Sequence, residues 1–263
     1  MGLNFGKHSD VVFGHAPLVS VLCQIKFSPV LSLMTPVGIA GFQTAIRSQY
    51  PTLLPPEQTT DIALGPQSVG IQQSAPLWKM VDPEKKWAVG ISADFVSLET
   101  PSYSSISEFL ERLNFVLRAL HRTIRPSDSL RVGLRKVNAI KSGEYGNSTE
   151  NLSEVIRPEL LGPLSVKGFP ADISGSFSQL QFVDGYNQLV IRYGLGSSDG
   201  EEGFVLDLDY YTEQPYAVDG DAGLRELLLH FSEGMTSFFH WAVEDSYKSR
   251  LDPRPRVDRG AGA

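Results

Sequence analysis

From Val19 to Phe27 every second residue is apolar (Val19, Val21, Cys23, Ile25, Phe27), the period of a strand with one buried face. This first strand is expected over 17–27. After Pro29 and Pro36 the pattern changes. Residues 37–50 read as a helix that stops before Pro51, because a residue ahead of proline is driven out of the helical region. A proline-rich linker over 51–66 leads to strands near 67–74, 77–82 and 86–99, the last two joined by the turn DPEKK. A long helix is predicted at about 104–124. Ser105 or Ser107 caps it, Glu108 and Glu111 suit its first turns, and Phe109, Leu110, Leu113, Leu117 and Leu120 share one face.

The second half runs in the same order. LRVGLRKVNAI (130–140) is its first strand, followed by a short helix at about 151–161. Strands near 174–183 and 187–195 flank the hairpin signal DGYN, and a third strand spans 203–213. A final helix covers about 221–249. The order is thus β-α-β-β-β-α, twice. With Asp94 set on Asp209, VGISADFVSLE (89–99) lies beside FVLDLDYYTE (204–213). With Glu108 set on Glu226, the apolar helix positions match Leu227, Leu228, Phe231, Met235 and Phe238. These patterns predict an α+β fold of two pseudo-repeated β-α-β-β-β-α modules, 17–128 and 129–250, packed closely as two domains or one. Each is an antiparallel-rich sheet covered by a long helix. Residues 1–16 are expected to be a flexible lead-in and 251–263 a disordered tail.

Composition narrows the picture. The 263 residues carry 30 acids against 23 Lys and Arg, a net charge of −7, which argues against broad electrostatic capture of nucleic acid. No apolar run approaches the roughly 18–20 residues that span a bilayer, and the first residues, MGLNFGKHSD, lack the apolar stretch of a secretory signal. With one cysteine, Cys23, no intrachain disulfide forms. That fits a reducing, cytoplasmic setting, with Cys23 as a small buried hydrophobe.

Catalytic patterns are sparse. His230 and His240 lie about 15 Å apart along one predicted helix, and His240 with Glu244 reads as a helix-surface pair without a third ligand. Neither a phosphate-binding glycine loop nor a nucleophile elbow occurs, so no catalytic residue, metal or cofactor is predicted. GLGSSDGEEG (194–203) joins two predicted strands and reads as a flexible hairpin loop. Asp207 and Asp209 project from one face of a strand, roughly 7 Å apart. Together with Asp94 they are the one candidate for a Mg²⁺-dependent enzyme.

One stretch stands out. Residues 118–141 hold seven Lys and Arg against the single acid Asp128. Arg118, Arg122, Arg131, Arg135 and Lys136 are the candidate binding residues for an anion or an acidic partner, with His121 and Arg125 beside them. The local alternative is that the helix arginines complement its C-terminal dipole while those of the strand pair with acids such as Asp94 or Asp209.

PLVSVLCQIKFSPVLS, FQTAIRSQYP, LETPSYSSISEFLERL and RVGLRKVNAI together resemble a sporadically distributed bacterial protein family of similar length and uncharacterised function. Its members share the opening Pro-Leu-Val strand (here Pro17–Phe27) and a Gly-Leu-Arg-x-x-Asn segment (here Gly133–Asn138). The resemblance covers most of the chain and carries no catalytic residues. It implies an accessory locus of the defence or toxin–antitoxin kind. The expected function is therefore a non-enzymatic cytoplasmic interaction or regulatory protein whose partner is a protein, such as the product of an adjacent gene. Nucleic-acid or nucleotide-phosphate binding through 118–141 is the alternative.

Overall fold

The computed structural model describes residues 3, 5–6, 11–57, 60–65, 68–73, 75–146, 149–166, 173, 175–198, 200–220 and 222–255. Its strands are β1 (Val11–Phe13), β2 (Leu18–Phe27), β3 (Thr52–Leu53), β4 (Thr60–Gly65), β5 (Ser68–Gln73), β6 (Trp78–Val81), β7 (Ala88–Ile91), β8 (Phe95–Thr100), β9 (Ser129–Lys141), β10 (Ser178–Asp184), β11 (Asn187–Ser198), β12 (Glu201–Thr212) and β13 (Pro253–Pro255). Its α-helices are α1 (Pro36–Ile46), α2 (Ile106–Thr123), α3 (Pro158–Leu161), α4 (Ala222–Ala242) and α5 (Asp245–Lys248).

Nine strands form one antiparallel sheet in the order β10-β11-β12-β9-β2-β8-β7-β6-β3. Two of its long inner strands, β2 and β9, run side by side at the centre. To one side of that seam the order is β2-β8-β7-β6-β3, to the other β9-β12-β11-β10. The α+β class is as expected, but the sheet is continuous.

Alternation decides which face is covered. Val21, Cys23, Ile25 and Phe27 of β2, Val132 and Leu134 of β9, and Leu206, Leu208 and Tyr210 of β12 are all buried. They join one core with Phe42 of α1, Phe109 of α2 and Phe238 of α4. Ser105 caps α2 by accepting the Glu108 N–H, and the five apolar positions matched between α2 and α4 are buried in both. Gly234 lets α4 press on β12, since a Cβ there would lie 2.8 Å from the Tyr210 ring. The Cys23 thiol is fully buried, and that burial pushes its pKa up to about 12, although Arg131 works in the opposite direction.

Several expectations need correction. Residues 86–99 are a hairpin, β7 and β8, that folds back at Ser92–Asp94 with the Ser92 N–H donating to Phe95 O. Apolar residues flank the turn on both sides, which hid it. Because β12 is one continuous strand, laying 89–99 on 204–213 does not match like with like. The linker contains β3 and β4, and β4 pairs with β5 in a separate ribbon.

The final helix breaks after Ala242. Arg157 N–H takes Ala242 O, Glu244 N–H takes Val155 O, and Ile156 bridges Val243. The described parts of the lead-in and tail are also tied down: β1 pairs with β13, and Phe5 meets Phe182 and Phe238 edge-on at 5.2 and 5.0 Å, while 1, 2, 4 and 7–10 lie outside the described residues. The last eight residues of the expected tail lie outside the described ones. Among the described residues, no helix is long and apolar enough to cross a membrane.

Candidate functional site

The cationic stretch is divided among three environments. Along β9, Val132, Leu134 and Lys136 point toward the helices, and Arg131, Gly133 and Arg135 point to the uncovered face. Leu130, at the open end of the strand, is 56% exposed and holds no core position.

On the uncovered face each guanidinium meets a carboxylate, Arg135 through Nε and Nη2 and Arg131 through Nη2 alone. Arg135 lies opposite Asp209 in register but reaches one pair further, donating to Asp207 from Nε at 2.7 Å and Nη2 at 2.8 Å. Arg192 of β11, directly across from Asp207, approaches it at 3.5 Å. Arg131 crosses over Gly133, stacks on the Tyr211 ring at 4.3 Å, and donates to both Asp209 oxygens at 3.0 and 3.1 Å. Gly133 makes room for this: a Cβ there would stand 2.6 Å from Arg131 Nη1. Asp207 is only 6% exposed, so its charge is sustained by the two guanidinium groups that hold it. The bond to Asp207 raises the Arg135 pKa further.

The remaining members lie elsewhere. Lys136 is 8% exposed under α4, where its Nζ donates to Ser232 Oγ at 2.9 Å and stands 5.5 Å from the Tyr103 ring. It is not available to an external anion. Arg118, His121 and Arg122 are exposed on the last turns of α2 and Arg125 just beyond its end, in the layer covering the opposite face from Arg131 and Arg135. The expected convergence of these guanidinium groups does not occur, because the sheet lies between them.

The carboxylate set also fails to gather. Asp94 precedes β8, and β8 and β12 are separated by β2 and β9, three strand spacings or about 14 Å. Asp207 and Asp209 are engaged by arginines. Among the described residues no group of three His, Cys, Asp or Glu is arranged to hold a metal ion.

Two clusters escaped sequence reasoning. Asp184, closing the β10–β11 hairpin, receives the Tyr210 hydroxyl at 2.6 Å and meets His230 Nε2 of α4 at the same distance. A second cluster lines a cleft of about 420 Å³ at the C-terminal end of α4, bounded by α5 and the β1–β13 ribbon. Arg157, Ser237, His240, Trp241 and Lys248 contribute to it, with Phe5 and Phe13 as apolar walls. His240 is not a helix-surface residue. It is 6% exposed, with its ring 5.3 Å from Phe13. The lining comes from segments scattered over the whole chain, so no local spacing announces it. Compared with models of protein families and with curated proteins, the chain matches none.

Proposed function

We propose that the protein is a non-enzymatic interaction protein that receives a protein partner on the uncovered face of its sheet. The observation that carries this reading is the pairing of Arg131 with Asp209 and of Arg135 with Asp207. A phosphate grip needs guanidinium groups without a carboxylate already on them. Here the cations are neutralised within the face, as Lys79 is by Glu99 further along it. Between the ion pairs stand half-buried Leu22, Val137, Val205 and Tyr211. Such a mosaic of Arg, Tyr and aliphatic side chains with balanced charge suits a protein surface. The similar order of the first four strands on either side of the β2–β9 seam, with the two-residue β3 added on one side, supports reading the halves as pseudo-repeated β-α-β-β-β-α modules, with the partner face running across both. The family resemblance favours a cytoplasmic setting and a partner encoded in the same accessory bacterial locus.

The exposed Arg118 and Arg122 favour a second reading, capture of nucleic-acid phosphates by the end of α2. One preparation separates the two. Purified natively from cells carrying its whole locus, the protein is expected to bring down a stoichiometric protein partner that a Leu22→Glu/Val205→Glu variant loses. Recovery without such a partner, or a partner equally retained by that variant, overturns the proposal. Nucleic acid that co-purifies and is lost in an Arg118→Ala/Arg122→Ala variant establishes the second reading instead.

A further inference from the structure

The cleft at the end of α4 is, among the described residues, rich in donors and short of acceptors. Among the described residues the Arg157 guanidinium has no hydrogen-bond acceptor, and its Nε is buried without a partner. The group instead lies 5.4 Å from the Trp241 ring, which fixes its plane beside the opening. Lys248 Nζ donates to His240 O at 2.8 Å and to Asp245 at 2.7 Å, leaving its third proton. Ser237 Oγ accepts the Phe5 N–H at 3.1 Å, leaving its own hydroxyl proton to give. The one described carboxylate at the rim, Asp245, has a 97% exposed side chain, is bound to Lys248, and reaches Arg157 through its charge but without a hydrogen bond.

The helix end does not account for these cations. His240 O is taken by Lys248, and Ala242 O by the backbone N–H of Arg157, so the guanidinium of Arg157 is left over. Buried donors are normally paired, so the unpaired Arg157 Nε beside a cleft of this size points to an absent acceptor. A volume of about 420 Å³ exceeds that of a bare oxyanion and falls in the range of small-molecule sites, and Phe5, Phe13 and Trp241 supply apolar walls for the remainder of a ligand.

We propose that this cleft binds a small anionic ligand, a carboxylate or phosphate monoester carrying a flat apolar body. Arg157 and Lys248 hold its charge, Ser237 gives a hydrogen bond, and Trp241 packs on its body. The site is separate from the uncovered sheet face and does not depend on the partner proposed there.

Intact protein titrated with benzoate, phenyl phosphate and inorganic phosphate tests it. Trp78 and Trp87 are 6% and 4% exposed, whereas Trp241 borders the cleft, so tryptophan fluorescence reports on occupancy and the signal should vanish in Trp241→Phe. The expected result is saturable binding of benzoate or phenyl phosphate, stronger than that of inorganic phosphate. Whichever of the two binds more tightly identifies carboxylate or phosphate as the ligand's anion. Arg157→Gln should weaken binding at least about tenfold, the loss of one charged hydrogen-bond pair. Lys248→Gln should act in the same direction and serves if Arg157→Gln does not fold. Arg250→Gln, on the Tyr247 ring outside the cleft lining, should bind as the parent does. No saturable binding of any probe up to about 10 mM, or binding unchanged in folded Arg157→Gln and Lys248→Gln, overturns the proposal.

Discussion

At the scale of single residues, Asp207 and Asp209 differ more than their spacing suggests. Asp207 is 6% exposed and is held by Arg135 and Arg192. Asp209 accepts from Arg131 alone, and that arginine keeps the Tyr211 ring if the acid is lost. Asp207→Asn keeps the shape but leaves two guanidinium groups without their counter-charge, and should lower stability by about 1–3 kcal/mol. Asp209→Asn should cost less than about 1 kcal/mol, since its pair with Arg131 is partly open to solvent. Urea unfolding midpoints measure both, and equal costs would show that burial does not set the difference. The sequence made the alternation of β9 readable, and it pointed to acids on neighbouring strands as partners for the arginines. Which acid meets which arginine depended on strand order and on Gly133, neither of which is a local property.

At the scale of elements, the β10–β11 hairpin is fastened to α4 through Asp184. Burial raises the pKa of this carboxyl, but hydrogen bonds from Tyr210 and His230, together with the charge of His230, outweigh burial and hold it below the ordinary carboxylate value. A depressed folded pKa contributes stability above the unfolded carboxylate pKa and loses it as pH falls through the folded value. The stability gap between the parent and Asp184→Asn should therefore be full at about pH 6 and shrink below about pH 4. Thermal midpoints across that range measure it, and a gap that stays constant would place the role of Asp184 in shape alone. The hairpin itself was legible in DGYN, where Gly185 takes φ of 61°. The β7–β8 hairpin was not, because GISADF carries apolar residues through the turn. The break after α4 was hidden for another reason. It is made by residues 155–157, more than eighty positions away in the chain.

At the scale of the molecule, the two halves meet through β2 and β9, whose register runs from Leu18 opposite Asn138 to Phe27 opposite Ser129. Cutting there would leave two long strands with unpaired edges and would open the core that Val21, Cys23, Ile25, Val132 and Leu134 share. Local periodicity could propose the modules, but it could not say that their sheets join, since joining is a contact between strands about 110 residues apart. A continuous sheet over one core should unfold as one cooperative unit despite the length of the chain. The tryptophans allow each half to be followed alone. Trp78 and Trp87 lie in the β2-β8-β7-β6 half, and Trp241 lies on α4 in the other. A Trp241→Phe variant reports only the first half, and a Trp78→Phe/Trp87→Phe variant only the second. After correction for each variant's own stability by circular dichroism, the fluorescence and dichroism midpoints in urea should coincide in both variants. A midpoint for Trp241 that separates from the dichroism transition would mean that the seam is weaker than either half, and that the modules behave as independent domains.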